Sequence, residues 1–382
     1  MHISKFVTPE IIFGNNSINQ VGESLRRLGA KKVFVVSDHE IFNFGWTEEA
    51  IYYLRQNGLS HFNWNEVTSN PKDYEIHEGV KKYLHNDCDA VLGVGGGSVI
   101  DAAKSIALLG TNGGTIHQYE GVDKITVPLP PMVMIPTTAG SGSEVSQFSI
   151  IVDTKRSVKM TIISKSLVPD IAIIDPRTLT TMDHRLTAYT GMDVLTHAIE
   201  SYISLAATPL TQVLSLQAIR LVAKFLRPST ASKYNMAAKE SMAMASLQAG
   251  LAFSNAILGA AHAISHQLGG LLDCPHGEVT AILLPHVMQF NLIACPEKYI
   301  DMAEAFGEKT FGLSEMEASR LAIQAVQDLV TDLGIPATVS KHGLQDDHIP
   351  ALSQNALNDA CMITNPRDMT LEDIASILKQ IV

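Results

Sequence analysis

Asp193 and His197 stand four residues apart in TAYTGMDVLTHAIESYISLA (187–206), and His262 and His266 repeat that spacing in LGAAHAISHQLGG (258–270). On a helix, an i, i+4 pair stacks on one face, so each segment presents two titratable side chains together. A fifth group, His276, follows a break at Pro275 in CPHGE. The surroundings are small and apolar, and a buried imidazole or carboxylate needs a partner. Five such groups need either many hydrogen bonds or a cation. A single Asp/His pair is commonly surface decoration, whereas two pairs and a further histidine favour a metal. One carboxylate with several imidazoles suits Fe(II), Zn(II) or Co(II) and argues against Mg or Ca.

A second chemistry is written in glycine. GVGGGSVIDAAK (93–104) places Gly95, Gly96 and Gly97 between a strand and a helix. Glycine lets a backbone approach a phosphate, and the free N–H groups of a new helix attract anionic oxygens. The competing reading is a tight turn in which Ser98 and Asp101 form a capping box, although that does not require three glycines. TTAGSGS (137–143) is another loop of this kind, and two such turns at strand ends suit a dinucleotide. Asp38 closes the strand KKVFVVSD. Its carboxylate could accept from ribose hydroxyls and repel a 2′-phosphate, or cap a turn; both readings stand. Asp38 precedes the glycines, whereas in the G-x-G-x-x-G fingerprint the acid follows roughly 20 residues later. A plain Rossmann order is therefore not expected.

The elements that must hold these groups fall into two halves. Strands are expected at 31–38, 89–97 and in PMVMIPTTAGSG (131–142), alternating with helices at 47–58, 74–87 and 98–110. That alternation predicts a mostly parallel sheet covered on both faces. Beyond Leu179 the chain reads as helix after helix. The expected division is an α/β nucleotide-binding domain over 1–180 and an all-α metal-binding domain over 181–382, a length that suits two cores.

Bulk properties exclude some partners. The formal net charge is −11, so a phosphate backbone is not an expected ligand. No apolar run reaches the roughly 18 residues that span a bilayer, and MHISKFVTPE lacks signal-peptide character. Cys88, Cys274, Cys295 and Cys361 have no C-x-x-C spacing, which favours a reduced, cytoplasmic protein without a thiolate zinc site.

These motifs, in this order, resemble the iron-containing alcohol dehydrogenases, which are related in fold to glycerol dehydrogenase and, more distantly, to dehydroquinate synthase. The resemblance runs through GGGSVIDAAKSIAL, PTTAGSGSEVS, the Lys of RSVKM, TGMDVLTHAIESY, GAAHAISHQLGG, PHGEVTAILLPHVMQFN and TNPRDMTLEDI. It implies a dehydroquinate synthase-like fold, NAD(H) as cofactor, and Fe2+ as the metal with Zn2+ as an alternative occupant. Asp193, His197, His262 and His276 fall at metal-ligand positions, and His266 at a histidine beside the metal associated with proton transfer. Gly95, Gly96, Gly97 and Ser98 match the pyrophosphate loop, with Asp101, Thr137, Thr138, Ser143 and Lys159 at cofactor positions and Asp38 at the acid associated with NAD. Phe148, Phe253 and Cys361 match the substrate pocket. His286 lies in a family motif and reads as a structural core histidine. The implied assembly is a homodimer or larger.

The implied reaction is hydride transfer between a short primary alcohol or diol and its aldehyde, run in either direction. A small acidic or sulfonated aldehyde would fit if Arg156, Lys159 or Arg367 reached the pocket. A dehydroquinate synthase-like lyase would need basic groups around its substrate, yet no Lys or Arg occurs from Leu251 to Glu297. A noncatalytic NAD- or metal-binding sensor is the other alternative.

Overall fold

The structure is a computed structural model and describes residues 5–382. The first four residues of the stretch read above for a targeting signal lie outside the described residues. The chain divides into two compact units, Val7–Thr181 and Met182–Val382, and the described residues Lys5 and Phe6 group with the second.

The first unit contains strands β1 (Glu10–Phe13), β2 (Lys32–Val36), β3 (Ser60–Trp64), β4 (Ala90–Gly95), β5 (Gly121–Val122), β6 (Met132–Pro136), β7 (Phe148–Asp153), β8 (Val158–Ile163) and β9 (Ile171–Ile174). Its helices are α1 (Val21–Arg27), α2 (His39–Asn43), α3 (Trp46–Gln56), α4 (Asp73–His85) and α5 (Gly97–Asn112). Six strands form a parallel sheet in the order β1-β9-β6-β4-β2-β3. Side chains alternate across it, as a pleated strand requires. Val33 and Val35 pack with Val21, Leu25 and Leu54, whereas Phe34 and Val36 pack with Ile76, Ile100 and Ile106 on the opposite face. Both faces are thus buried, which is why these strands are apolar throughout. A smaller sheet pairs β7 antiparallel to β8, with β5 on the other side of β8.

The strand order accounts for the unusual position of Asp38. From β2 the chain moves outward to β3, then crosses back to place β4 on the other side of β2. Ligands in open α/β sheets bind beyond the strand C-termini at such a reversal. Asp38 lies just beyond β2, the three glycines run from the last residue of β4 into α5, and the strands run in register, with Val36 opposite Gly93.

The second unit contains α6 (His184–Ile203), α7 (Pro209–Ala231), α8 (Met236–Ala256), α9 (Ala260–Leu272), α10 (His276–Asn291), α11 (Pro296–Phe306), α12 (Glu315–Asp332), α13 (Ile349–Leu357) and α14 (Leu371–Lys379). Among the described residues no strand follows Ile174. Asp183 caps α6 by accepting from the Leu186 N–H. From Gly191 to Ile203 α6 is buried on every side, the pattern of a helix inside a core rather than on its surface. A Cβ on Gly191 would lie 2.1 Å from Leu226 Cδ1, so α6 and α7 pack too closely there for a side chain. No single helix among the described residues is long and apolar enough to cross a membrane.

Candidate active site

Asp193, His262 and His276 come together from three helices. Asp193 lies on α6, His262 on α9, and His276 is the first residue of α10 after Pro275 ends the connecting turn. One ligand atom from each lies within 4.8 Å of the others. His262 Nε2 is 3.7 Å and His276 Nε2 3.6 Å from Asp193 Oδ1. Those separations exceed hydrogen-bond length, but bond lengths of about 2.1 Å in a tetrahedral ion site place donors about 3.4 Å apart. His262 Nε2 is also buried without a hydrogen-bond partner. The donors therefore fit an N/O-ligated transition-metal ion.

His197 stands beside this group. Its Nδ1 is 4.0 Å from Asp193 Oδ2, and its ring stacks on His262 and on Phe253, with centroids 4.5 Å away in each case. Burial alone would raise the pKa of Asp193, but His197, His276 and His262 outweigh it and hold the carboxylate ionised far below its usual range. Burial opposes a charge on His262, yet Glu200 and Asp193 prevail and lift its pKa to about 9. A proton on this imidazole is what a cation would displace.

The segment entering α9 is held from several sides. Between α8 and α9 the chain bends by 99°, through Ile257 at φ 62° and ψ −172°. A β-branched residue rarely adopts that conformation, at a cost of about 1–3 kcal/mol. Hydroxyls fix both sides of it: Ser204 Oγ donates to Ala256 O, and Thr364 Oγ1 to Leu258 O. At the start of α9, Asn365 Oδ1 accepts from the Ala260 N–H and Glu200 Oε1 from the Ala261 N–H.

His266, one turn beyond His262, has its own partner. Its Nδ1 lies 3.0 Å from Asp359 Oδ2, which also accepts from Gln267 Nε2. Asp359 Oδ1 accepts from the Cys361 N–H. With Nδ1–H donating to the carboxylate, Nε2 is left as the acceptor nitrogen of the ring. Cys361 is fully buried, and burial with the Asp359 charge raises its thiol pKa well above the ordinary value. A third group of this type, Asp73, His117 and Asp153 in the α/β unit, is bonded internally. His117 Nε2 reaches Asp73 Oδ2 at 3.1 Å, and Arg156 Nε donates to Asp153.

In the α/β unit the two glycine-rich turns meet. A Cβ on Gly97 would lie 2.7 Å from Ser141 Cβ, one on Gly95 2.5 Å from Val99, and one on Gly96 3.3 Å from Thr138. Contact with Val99 at the start of α5 accounts for Gly95, and close packing of the second turn accounts for Gly97. The capping-box reading of Ser98 and Asp101 is overturned. Gly96 is the N-cap of α5, while Ser98 Oγ accepts from the Asn70 N–H and Asp101 Oδ2 from the Ile150 N–H. Partners distant in sequence have claimed both side chains. Thr137 Oγ1 and Asp101 Oδ1 are buried without hydrogen-bond partners, and the Thr137 N–H donates to Gly95 O. Burial raises the Asp101 pKa to about 6 against the pull of Lys104. Ser143 is buried in the same loop, and Lys159 lies on β8 opposite Val152. Asp38 caps α2, accepting from the Ile41 N–H at 2.8 Å.

The profile of iron-containing alcohol dehydrogenases matches residues 8–176, and that of the family's C-terminal region matches residues 187–382. The chain belongs to the iron-containing alcohol dehydrogenase family. It is an oxidoreductase of a family that uses NAD(H) and iron. A 1,3-propanediol dehydrogenase of Citrobacter freundii is 43% identical over 378 residues, 98% of each chain. An NAD-dependent methanol dehydrogenase of Bacillus methanolicus is 39% identical over 374 residues, again 98% of each. A crystal structure of 1,3-propanediol oxidoreductase superposes with a TM-score of 0.97 at 42% identity, covering all of both chains.

The residues expected in the substrate pocket fall in both units. Phe253 lies against His197, and Cys361 beside Asp359. Phe148 begins β7 in the other unit, where its carbonyl accepts from Lys104 Nζ. Two cations considered for an acidic substrate are engaged: Arg156 pairs with Asp153 and Glu120, and Arg367 lies over Phe290 and donates to its carbonyl. The core reading of His286 is corrected, since it is partly exposed with Nδ1 3.0 Å from Gln380 Oε1. Sequence reading missed Glu200 and Asp359. Glu200 carried a signal, seven residues after Asp193 and three after His197 on α6, whereas Asp359 lies 93 residues from His266.

Proposed function

We propose that the chain interconverts short primary alcohols or diols with their aldehydes, using NAD(H) and an ion held by Asp193, His197, His262 and His276. The observation that carries this reading is the Asp193–His262–His276 group, in which Asp193 and His262 are buried and His262 Nε2 has no hydrogen-bond partner. When bound, the ion supplies Lewis-acid polarisation of the carbinol or carbonyl oxygen. The protein's own contribution is positional. Asp193 brings one negative charge to an otherwise neutral donor set, Phe253 shields the imidazoles from water, and His266 on Asp359 holds or moves a proton at Nε2.

On the dinucleotide side, Gly95–Ser98 and the Thr137–Ser143 loop cradle the pyrophosphate, supported by Asp101, Thr137, Thr138, Ser143 and Lys159. Asp38 favours NAD(H) by repelling a 2′-phosphate. Phe148, Phe253 and Cys361 are assigned to the substrate pocket. The relatives named for 1,3-propanediol and methanol favour a small, uncharged substrate, and the engagement of Arg156 and Arg367 argues the same way. Aldehyde reduction is included as a working direction, and a reduced cytoplasmic setting suits four buried, free cysteines. The proposed assembly is a homodimer or larger.

The test is a kinetic screen in both directions with methanol, ethanol, butanol, 1,3-propanediol and the matching aldehydes, paired with His262→Ala. The screen should find turnover of a short uncharged substrate with NAD(H). The variant should lose bound metal by elemental analysis and lose turnover, while still binding NADH. Normal metal content in that variant would remove His262 from the ligand set.

A further inference from the structure

We propose that Glu200 is a positioning residue for the reaction: it fixes the tautomer of His262 so that Nε2 presents its lone pair to the cation. This rests on the reading of His262 as a ligand. Glu200 is buried on α6, and its two oxygens face two different donors. Oε1 accepts from the Ala261 N–H at 2.6 Å, and Oε2 lies 2.5 Å from His262 Nδ1. An ionised carboxylate only accepts, so Nδ1 keeps its proton, and the nitrogen that gives up a proton to a cation and offers the lone pair is Nε2. Nε2 is the atom directed toward Asp193 Oδ1, 3.7 Å away, without a hydrogen-bond partner.

The same carboxylate caps the helix that carries His262. Gly259, the N-cap of α9, contributes no side-chain hydrogen bond, so the first N–H groups depend on remote acceptors. Glu200 Oε1 serves Ala261, and Asn365 Oδ1 serves Ala260. A Cβ on Gly259 would lie 3.0 Å from Glu200 Oε1 and 3.1 Å from Asn365 Oδ1. The absence of a side chain at Gly259 thus lets both acceptors reach the helix end. One residue sets the height of α9 and the hydrogen placement on the imidazole above it.

Glutamine separates these two duties. The Ala261 N–H can only donate, so the amide of Glu200→Gln must turn its oxygen there and its NH2 toward His262 Nδ1. Nδ1 then becomes an acceptor, the ring proton moves to Nε2, and Nε2 cannot ligate. Alanine removes the acceptor but leaves the imidazole free to choose its tautomer. The near-isosteric variant should therefore bind metal no better than the truncated one. A group acting only as a cap or filler would give the reverse order, because glutamine keeps the volume and the Ala261 bond.

The experiment equilibrates full-length Zn2+- and Co2+-loaded protein with a chelator of known affinity, for parent, Glu200→Gln, Glu200→Ala and His262→Ala. The expected result for Glu200→Gln is a 10–100-fold loss of metal affinity, at least as large as that of Glu200→Ala. Parent-like affinity in Glu200→Gln, with His262→Ala impaired, overturns the role of Glu200. Unchanged affinity in His262→Ala overturns the ligand assignment itself. Should Glu200→Gln fail to fold, imidazole 15N NMR of the Zn2+-loaded parent decides. His262 should be protonated at Nδ1 and coordinated at Nε2, and the opposite pattern overturns the proposal.

Discussion

His266 and His262 share a face of α9 but have different neighbours. His262 turns an unpartnered Nε2 toward Asp193, whereas His266 is tied through Nδ1 to Asp359. The His266 ring stacks on that of His276 with centroids 5.8 Å apart, close to the donor group but outside it. His266→Ala should therefore retain its metal by elemental analysis and lose kcat by roughly 10²–10⁴-fold, the range for a lost acid–base group. Metal loss in this variant would make His266 a ligand. Asp38 allows an equally direct test. Glycine is tolerated at an N-cap for a few tenths of a kcal/mol, so Asp38→Gly should barely shift the melting temperature. The ratio of kcat/KM for NADP(H) over NAD(H) should nevertheless rise, and an unchanged ratio would leave Asp38 as a cap alone. The donors were legible because two i, i+4 pairs and a histidine after Pro275 are local patterns. Asp359 was not, because only the tertiary fold brings it to His266.

At the scale of elements, the geometry of the site depends on how α6 and α10 pass each other. A Cβ on Gly277 would lie 2.4 Å from the carbonyl oxygen of Tyr189, a backbone atom of α6. No rotamer change can relieve that contact, so Gly277→Ala should push away the first turn of α10 and His276 with it. The expected outcome is a stability loss of about 1–3 kcal/mol with a fall in metal affinity, read by thermal melting and chelator competition. Parent-like affinity would mean that α10 accommodates the methyl without moving His276. Sequence reading placed β2, β4 and β6 because their residues are buried on both faces and apolar throughout. It did not place β3, whose SHFNW sequence belongs to an edge strand with largely half-buried side chains, nor the β7–β8 pair. The local cap it weighed as the competing reading for Ser98 and Asp101 is overridden by backbone donors at Asn70 and Ile150.

At the scale of the molecule, the proposed ligands join helices that are far apart in sequence. Asp193 and His197 come from α6, His262 from α9 and His276 from α10, so an ion there cross-links three segments of one unit. Binding to the folded state alone stabilises it by about 2.7 kcal/mol when free ion is at a hundredfold excess over Kd. For a unit of this size, that corresponds to roughly 5–10 °C in melting temperature. Stripping the metal should lower the melting transition by about that much, and readdition of Zn2+ or anaerobic Fe2+ should restore it in a concentration-dependent way. Hydrogen exchange should localise the effect. Protection should fall at the starts of α9 and α10, where the Ile257 bend and the Pro275 turn leave the chain dependent on side-chain anchors. Strands β2, β4 and β6 should keep theirs, because their ladders and two apolar faces owe nothing to the ion. Equal loss across both units would contradict a cross-link confined to three helices, and no change at all would place the metal elsewhere.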